Sequence, residues 1–247
     1  MKYLILIATL LCVLPGPSAC AEPYKVFTEE WAPYNYQENA RLTGMTTEVV
    51  QAIMALTGDR FEVVVVPSMR TSHVLQNRPR TIMYSMFRTP AREARYKWVG
   101  PIVEESIHAW QLAASPSLQT LAQLQAAAQI TTRHAGLVPD ELQGMGFTNL
   151  DRSATENLQL YRMLILGRTP VIVGDTDAGV AYYSRQLNIA PGTLRRIPVE
   201  LYRSTLYIAF SLDCDDDVVD AWAQALAQLR DSGELQRIQR RYALPEP

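Results

Sequence analysis

The residues best suited to bind a charged group are arginines that surround Thr89-Pro90. Thr is a good helix N-cap and Pro suits the first helical position, so this dipeptide predicts a helix start. The short helix would carry Arg92 in its first turn, with Arg88 just ahead of the cap. A helix N-terminus favours acids, so arginines gathered there indicate a site that an anion such as a carboxylate completes. A solvated basic turn, offset by Glu93, is the alternative that the spacing leaves open.

Alternating strands and helices precede this stretch and position it. Strands are predicted over residues 24–28, 61–66 and 81–86, and helices over residues 46–56 and 70–76. This order is typical of a parallel, right-handed α/β lobe. Arg70 follows the end of a strand, where open α/β sheets bind ligands, and is either a second pocket residue or a solvated surface arginine. Trp31 lies in an aromatic loop after the first strand and predicts a binding wall or a cap on the core.

The order of these motifs resembles that of the bacterial extracellular solute-binding proteins of family 3, the periplasmic receptors for polar amino acids. In that family, Thr-x-x-Arg follows a strand that ends in small polar residues and precedes a hydrophobic strand that opens with Phe-Ser-x-Pro. Here Ser85 is followed by Thr89-Pro90-Ala91-Arg92 and then by Trp98-Val99-Gly100-Pro101. The resemblance extends over essentially all of residues 22–247.

The resemblance implies an α/β fold of the periplasmic binding protein type II class. Two α/β lobes would be joined by a hinge of two chain crossings, the first after residue 102 and the second near residues 197–203. Lobe 1 is predicted over residues 22–108 and 200–247, and lobe 2 over residues 109–199.

The resemblance also implies a set of ligand contacts. Arg92 takes the place of the arginine that grips the ligand carboxylate, Ser85 that of a small polar contact, and Trp31 that of the stacking aromatic residue. Asp175 takes the place of the residue that binds an ammonium group. Asp177 competes for this role, and either aspartate could instead cap the following helix.

Two departures from the family pattern bear on the ligand. Phe87 stands where a second Ser or Thr is usual, and Ala135-Gly136 replaces a Gly-Ser/Thr pair, so that only backbone donors are expected there. Arg88 and Arg70 would add positive potential. These two arginines indicate an acidic or extended ligand.

Residues 1–21 have the pattern of an export signal. A positive start at Lys2 is followed by an apolar run, a Pro-Gly-Pro break and a small-residue cleavage site, so we expect cleavage before Glu22. The apolar run is shorter than the about 20 residues that span a bilayer. Lipidation of Cys20 is the rival interpretation. Of the 3 cysteines, Cys214 alone lies after this segment, so an internal disulfide is excluded.

Composition excludes several classes of function. The chain has 23 Lys and Arg against 25 Asp and Glu, and loss of Lys2 with the leader leaves 22 against 25, a net charge near −3. This balance provides no basic stripe for nucleic acid. The histidines, at positions 73, 108 and 134, are scattered, and no Cys/His cluster or catalytic triad pattern is recognisable. We therefore expect no metal, no cofactor and no nucleic-acid partner.

The family resemblance implies a periplasmic, monomeric binding protein rather than an enzyme. It would capture a small amino acid-like or carboxylate ligand by lobe closure and deliver it to an inner-membrane ABC permease. Two alternatives stay open. The fold also hosts a periplasmic cyclohexadienyl dehydratase, whose chemistry needs a general acid or base in the cleft. A receptor that serves a sensor instead of a permease is the other.

Overall fold

The computed structural model describes residues 23–243, apart from the side chains of residues 68, 69 and 72. The predicted export signal, including Cys20, lies outside the described residues. The first half contains β1 (Lys25–Thr28), β2 (Tyr36–Glu38), β3 (Arg41–Thr43), α1 (Met45–Thr57), β4 (Glu62–Val65), α2 (Ser68–Asn77), β5 (Thr81–Phe87), a 3₁₀ turn (Glu93–Arg95) and β6 (Lys97–Leu112). The second half contains α3 (Leu121–Gln125), β7 (Ile130–Arg133), α4 (Leu137–Gly144), β8 (Leu150–Ala154), α5 (Asn157–Ile165), β9 (Val171–Ile172), α6 (Asp177–Gln186), β10 (Leu194–Phe210), α7 (Asp216–Asp231) and α8 (Glu234–Tyr242).

Two parallel half-sheets are joined by one long antiparallel pair. The strand order is β4-β1-β5-β10-β6-β9-β7-β8. β1 pairs in parallel with β4 and β5, and β7 pairs in parallel with β8 and β9. β6 and β10 are 16 and 17 residues long and pair with each other between the two halves. Because both strands run from one half into the other, the predicted α/β architecture with two crossings is confirmed.

We name the halves by residue number. Lobe 1 comprises residues 23–96 and 211–243, lobe 2 comprises residues 113–193, and β6 and β10 are the crossing strands between them. The domain boundaries predicted after residues 108 and 199 fall inside these two strands. The sequence separated a crossing at 197–203 from a strand at 206–211, whereas the structure has one strand with register shifts. One shift lies between Arg196 and Glu200, at Pro198, which has no N–H to donate.

Each lobe has a packed core that holds its strands in place. In lobe 1, α1 buries Val49, Val50 and Ile53 and ends at Gly58, whose φ of 79° suits a left-handed cap. α7 buries Trp222 in the same core, and the indole Nε1 donates to Asp59 Oδ2 at 2.7 Å. In lobe 2, α5 buries Leu160, Tyr161 and Leu164 against the sheet. These cores fix the strand ends at which the site forms.

One predicted helix is much shorter than its pattern indicated. Ser115-Pro116-Ser117 predicts a helix through about residue 128, but α3 spans only Leu121–Gln125. The Gln111 side chain holds the preceding segment as a loop, because its amide donates to Pro116 O at 2.8 Å and accepts from Leu118 N at 3.2 Å. Thr120 then starts the helix with a capping box to Gln123.

Within residues 23–243, no helix combines the length and the apolar character needed to cross a membrane. The same residues contain no group of three or more His, Cys, Asp or Glu side chains placed to hold a metal ion. Cys214 is a buried free thiol.

Candidate functional site

The cleft between the lobes contains two neighbouring cavities. The small cavity has a volume of about 290 Å³ and is lined from lobe 1 by Trp31, Ser85, Phe87 and Arg92, and from lobe 2 by residues 135–140. The large cavity has a volume of about 460 Å³ and lies between residues such as Glu30 and Pro67 of lobe 1 and Asn157 and Tyr182 of lobe 2. Arg133 and Ala135 line both cavities.

Trp31 forms the aromatic wall of the small cavity. Its loop is held by paired backbone bonds between Trp31 and Asn35, at 2.6 and 2.9 Å. The indole lies 4.6 Å from the Tyr34 ring and 5.6 Å from the Phe87 ring, measured between centroids. The residue is only 7% exposed. The structure therefore places Trp31 in the cleft, where it also caps the core, and its contact with a ligand stays a prediction.

Ser85 lies in the same wall, inside a network of buried hydroxyl and amide groups. It donates to Asn35 Oδ1 and lies 2.6 Å from Thr46 Oγ1. Thr46 in turn donates to Tyr34 O at 2.8 Å. Ser85 has a φ of 62°, in the left-handed region that few non-glycine residues adopt. The network fixes the floor of the small cavity at the carboxyl end of β5.

Arg92 lines the small cavity, but not from the helix predicted for it. Its N–H closes a turn on Thr89 O at 2.9 Å, and the 3₁₀ turn that follows spans only Glu93–Arg95. The 3₁₀ turn ends at Tyr96, whose extended backbone (φ −144°, ψ 158°) returns the chain to the sheet. The Arg92 guanidinium donates to Phe87 O at 3.2 Å and forms no ion pair within the described residues. Its remaining donors are free to meet an anion.

Two other arginines predicted for the site line neither cavity. Arg88 pairs with Glu93, with Nε donating to Oε2 at 2.7 Å, and its guanidinium covers the rings of Trp98 and Tyr207 at 5.8 and 5.2 Å. Arg70 is exposed in the first turn of α2, and its neighbour Thr71 lines the small cavity instead. Their contacts with a ligand stay predictions, and spacing did not reveal these positions because the direction of a side chain at the end of a strand or in a first turn depends on pairing.

Asp175 lies at the base of the cleft, where it ties the lobes together. Its Oδ1 accepts from Trp31 Nε1 at 3.1 Å and from the Thr176 N–H at 3.0 Å, and its Oδ2 accepts from Tyr161 Oη at 3.4 Å. Burial raises the pKa of Asp175 to about 7, although the bonds from Trp31 and Thr176 lower it. Asp175 lines neither cavity, so its predicted contact with an ammonium group stays a prediction.

Asp177 faces the crossing strands. It lies 3.2 Å from His108 Nδ1 of β6 and accepts from Arg196 Nη1 of β10 at 3.0 Å. Neither aspartate caps α6, because Thr176 is the N-cap and its Oγ1 accepts from the Gly179 N–H at 3.1 Å. Thr176 also lies 2.6 Å from Tyr34 Oη of lobe 1, which gives a second tie between the lobes. Asp177 therefore belongs to the hinge.

The acids considered for an enzyme are distributed over different surfaces. Glu29 lines the small cavity and Glu30 the large one. Glu104 is exposed and pairs with Arg203 at 2.8 Å. Burial raises the pKa of Glu105 to about 7, but this residue lines a different groove, formed with Tyr34 and residues of α8. Among these four acids, only Glu29 shares a cavity with Arg92.

Arg133 is the main site residue that was not predicted. It ends β7 at the carboxyl edge of the parallel half-sheet, where ligand-binding residues gather, and this position was the available signal. Its Nη2 lies 3.8 Å from Glu29 Oε2 across the cleft. Beside it, Gly136, with a φ of 122°, starts α4 without a side-chain cap. The expectation of backbone donors at Ala135-Gly136 agrees with this arrangement.

Comparison with solved structures identifies the fold. The chain is similar to a histidine kinase sensor domain with similarity to periplasmic binding proteins (TM-score 0.79, 16% identity, 91% of this chain and 98% of that one). It is similar to the GluR0 ligand-binding core from Nostoc punctiforme in complex with L-glutamate (TM-score 0.77, 14% identity, 90% of this chain and 100% of that one). It is also similar to ArtJ, an arginine-, lysine-, histidine-binding protein from Geobacillus stearothermophilus (TM-score 0.75, 16% identity, 91% of this chain and 97% of that one). These likenesses confirm the type II periplasmic binding protein fold.

Comparison of sequences identifies the family. No curated protein sequence matches this chain significantly. The profile of the bacterial extracellular solute-binding proteins, family 3, matches residues 24–245, which includes both lobes and both crossing strands. The chain therefore belongs to the bacterial extracellular solute-binding proteins, family 3.

Proposed function

We propose that this chain captures a small carboxylate-bearing ligand, of the size of an amino acid, between its lobes. The observation that carries the proposal is the Arg92 guanidinium, which lines the small cavity without an ion pair among the described residues. Trp31 and Phe87 provide an apolar surface beside it, and Ser85 a polar one. A carboxylate bound there gains a charge-assisted hydrogen bond inside a partly desolvated cleft.

Closure of the lobes distinguishes the ligand-bound protein from the free protein. The crossing strands connect the lobes, and ligand contacts from both sides would favour the closed arrangement over an open one. A buried guanidinium is costly without a partner, so a ligand that lacks a carboxylate would leave the cleft open. In this proposal, the closed periplasmic monomer then delivers its ligand to an inner-membrane ABC permease.

A thermal-shift screen tests the proposal. Amino acids, polyamines and organic acids would be added to the protein at a large excess. Binding to the native state alone stabilises it by about 2.7 kcal/mol at a hundredfold excess over the dissociation constant. We expect carboxylates to raise Tm and polyamines to leave it unchanged. A rise in Tm with polyamines alone would contradict a carboxylate site.

A receptor for a sensor is the second candidate, because one similar structure is the sensor domain of a histidine kinase. Uptake of radiolabelled ligand by cells that lack this chain separates the two roles. Loss of uptake supports delivery to a permease. Normal uptake together with a lost transcriptional response to the ligand supports a receptor.

We propose binding without turnover, although Glu29 provides one carboxylate in the small cavity. Incubation with prephenate or arogenate, followed by chromatography of the products, tests the dehydratase alternative. The proposal predicts that both compounds are recovered unchanged. If water is eliminated from either compound and the reaction depends on Glu29, the chain is an enzyme, which contradicts the proposal.

A further inference from the structure

A second cation faces the cleft, from the lobe opposite Arg92. The Arg133 side chain lines both cavities and is 17% exposed. Its one ion pair among the described residues is with Glu29, at a distance of 3.8 Å that is too long for a hydrogen bond. Its Nε is buried and has no hydrogen-bond partner within residues 23–243. A guanidinium that is so poorly paired retains donors for another anion.

The start of α4 adds positive character at the same place. Gly136 is the N-cap and has no side chain with which to accept the first N–H groups of the helix. Gly136, Leu137 and Val138 line the small cavity together with Arg133. A helix N-terminus carries a partial positive charge and favours anions. The lobe 2 wall therefore combines a guanidinium with unpaired N–H groups of the backbone.

The carboxylate that the family resemblance assigns to an ammonium group is already engaged. Asp175 is 3% exposed, and its oxygens accept bonds from Trp31, Thr176 and Tyr161. The positive charge of Arg133 acts on this carboxylate. An ammonium group would have to share oxygens that already accept these bonds, in a residue that lines neither cavity, and approach a guanidinium of its own sign.

Two other carboxylates line the small cavity, and each already has an arginine partner: Asp140 pairs with Arg152 at 2.9 Å, and Glu29 lies 3.8 Å from Arg133. The lining residues of the small cavity therefore offer an ammonium group no carboxylate without an arginine beside it.

We propose that Arg133 is a second anion-binding residue and that the ligand is a small dicarboxylate or comparable dianion. One anionic group would pair with Arg92 of lobe 1 and the other with Arg133 of lobe 2. The inference rests on the proposed function, since it takes the same cleft as the ligand site. Because the two cations belong to different lobes, only the closed cleft completes both pairs.

Calorimetry with a matched series of probes tests this inference. The probes are succinate, glutarate, adipate, glutamate, glutamine and arginine. We expect a dicarboxylate to bind more tightly than glutamine or arginine. Arg133→Gln should weaken binding of that dicarboxylate by about 10- to 100-fold, because a hydrogen bond to a charged group is lost. Arg133→Lys keeps the charge and should weaken it less, and the exposed Arg168→Gln of lobe 2 should leave it unchanged.

A further variant separates ligand binding from a structural role of Arg133. Glu29→Gln removes the carboxylate that competes for Arg133 and should tighten dicarboxylate binding. A purely structural contact would instead lower Tm equally in Glu29→Gln and Arg133→Gln, with unchanged affinity in both.

Four results would overturn the inference. These are no binding of any dicarboxylate by the wild-type chain, a preference for glutamine or arginine, unchanged dicarboxylate affinity in Arg133→Gln, and the purely structural pattern above. If Arg92→Ala weakens ligand binding and Arg133→Gln does not, the inference fails and the proposed function stands. If neither variant weakens binding of a ligand that binds the wild-type chain, the proposed function fails as well.

Discussion

Apart from the Arg92 guanidinium, the lobe 1 wall of the cleft pairs its own polar groups, whereas the lobe 2 side leaves several buried polar groups without partners among the described residues. In lobe 1, Asn35, Thr46 and Ser85 satisfy one another through buried hydrogen bonds. Buried side-chain polar atoms without a partner among the described residues belong to Thr132, Arg133, Asn149, Asn157 and Ser184 in lobe 2, to Thr28 in lobe 1, and to Trp110 and Arg195 in the crossing strands.

This difference indicates how the two lobes divide the work of binding. A buried polar group without a partner costs free energy, so such groups are retained where something else uses them. Arg133 and Asn157 both line the cleft cavities. We infer that lobe 1 presents a preformed surface around one open guanidinium, that of Arg92, and that lobe 2 supplies further groups that a ligand completes. The variants below test this contrast.

The largest expected effect comes from the point where the two walls are tied together. A Cβ at Gly179 would lie 2.0 Å from Asp175 Oδ1, and that oxygen is held across the cleft by Trp31. Gly179→Ala should lower the free energy of unfolding by about 3 kcal/mol through overpacking. Urea denaturation measures this loss of stability. Gly144→Ala, where nothing lies within 4 Å of the added carbon, is the matched control in lobe 2. Equal stability of the two variants would show that the contact between Asp175 and Trp31 does not hold the lobes rigidly.

The contrast between the walls is tested by removing one hydroxyl from each side. Thr46→Val in lobe 1 loses the bonds to Tyr34 O and Ser85 and should cost about 2 kcal/mol, because buried partners are left unpaired. Thr132→Val in lobe 2 removes an oxygen that has no partner among the described residues and should cost almost nothing. Thermal unfolding of both variants provides the comparison. A larger loss of stability in Thr132→Val than in Thr46→Val would contradict the contrast between the walls.

The pH dependence of stability should come from Asp175, the lobe 2 residue that accepts a bond from Trp31 across the cleft. The pKa of Asp175 is raised to about 7 by burial, so between pH about 4 and about 7 the folded chain holds a proton that the unfolded chain has released. The free energy of unfolding therefore falls as pH rises through this window. Asp175→Asn should reduce this slope by about 1 kcal/mol per pH unit.

Urea denaturation at several pH values measures this slope. Glu105, whose pKa burial also raises to about 7, should keep a residual slope of the same sign in the variant. An identical profile for Asp175→Asn and the wild-type chain would show that Asp175 does not hold the proton.

The smallest expected effect belongs to an arginine of lobe 1 that the cleft does not use. Arg88→Ala removes a surface ion pair with Glu93 and its cover over Trp98, so stability should fall only slightly. Ligand affinity should be unchanged, because Arg88 lines neither cavity. Calorimetric titration beside the wild-type chain measures this. A clear loss of affinity would restore Arg88 to the site.

The order of elements was predictable because hydrophobic periodicity determines which segments form helices and strands. The predicted helices over 46–56 and 70–76 correspond to α1 and α2. The helix predicted from Ser115 was too long, because the contacts that keep its first residues in a loop come from Gln111, and that pairing is tertiary. The short hairpin of β2 and β3 carries a pattern too brief to predict.

The site was predictable where it depended on the position of a residue along a strand, and not where it depended on side-chain direction. Trp31, Ser85 and Arg92 line the small cavity, although their ligand roles stay predictions. Arg88 immediately follows the buried end of β5 but turns outward to Glu93. Arg133 was missed because the family pattern draws attention to the next residues of its loop.

The most direct test of the account is a calorimetric titration of Arg92→Ala with the ligand that gives the largest thermal shift. Truncation of one partner of a buried, hydrogen-bonded charge pair costs about 2–5 kcal/mol. We predict that Kd rises at least about 30-fold, while Tm without ligand stays close to that of the wild-type chain. An unchanged Kd in a folded Arg92→Ala protein would contradict the claim that this guanidinium holds the ligand in the cleft.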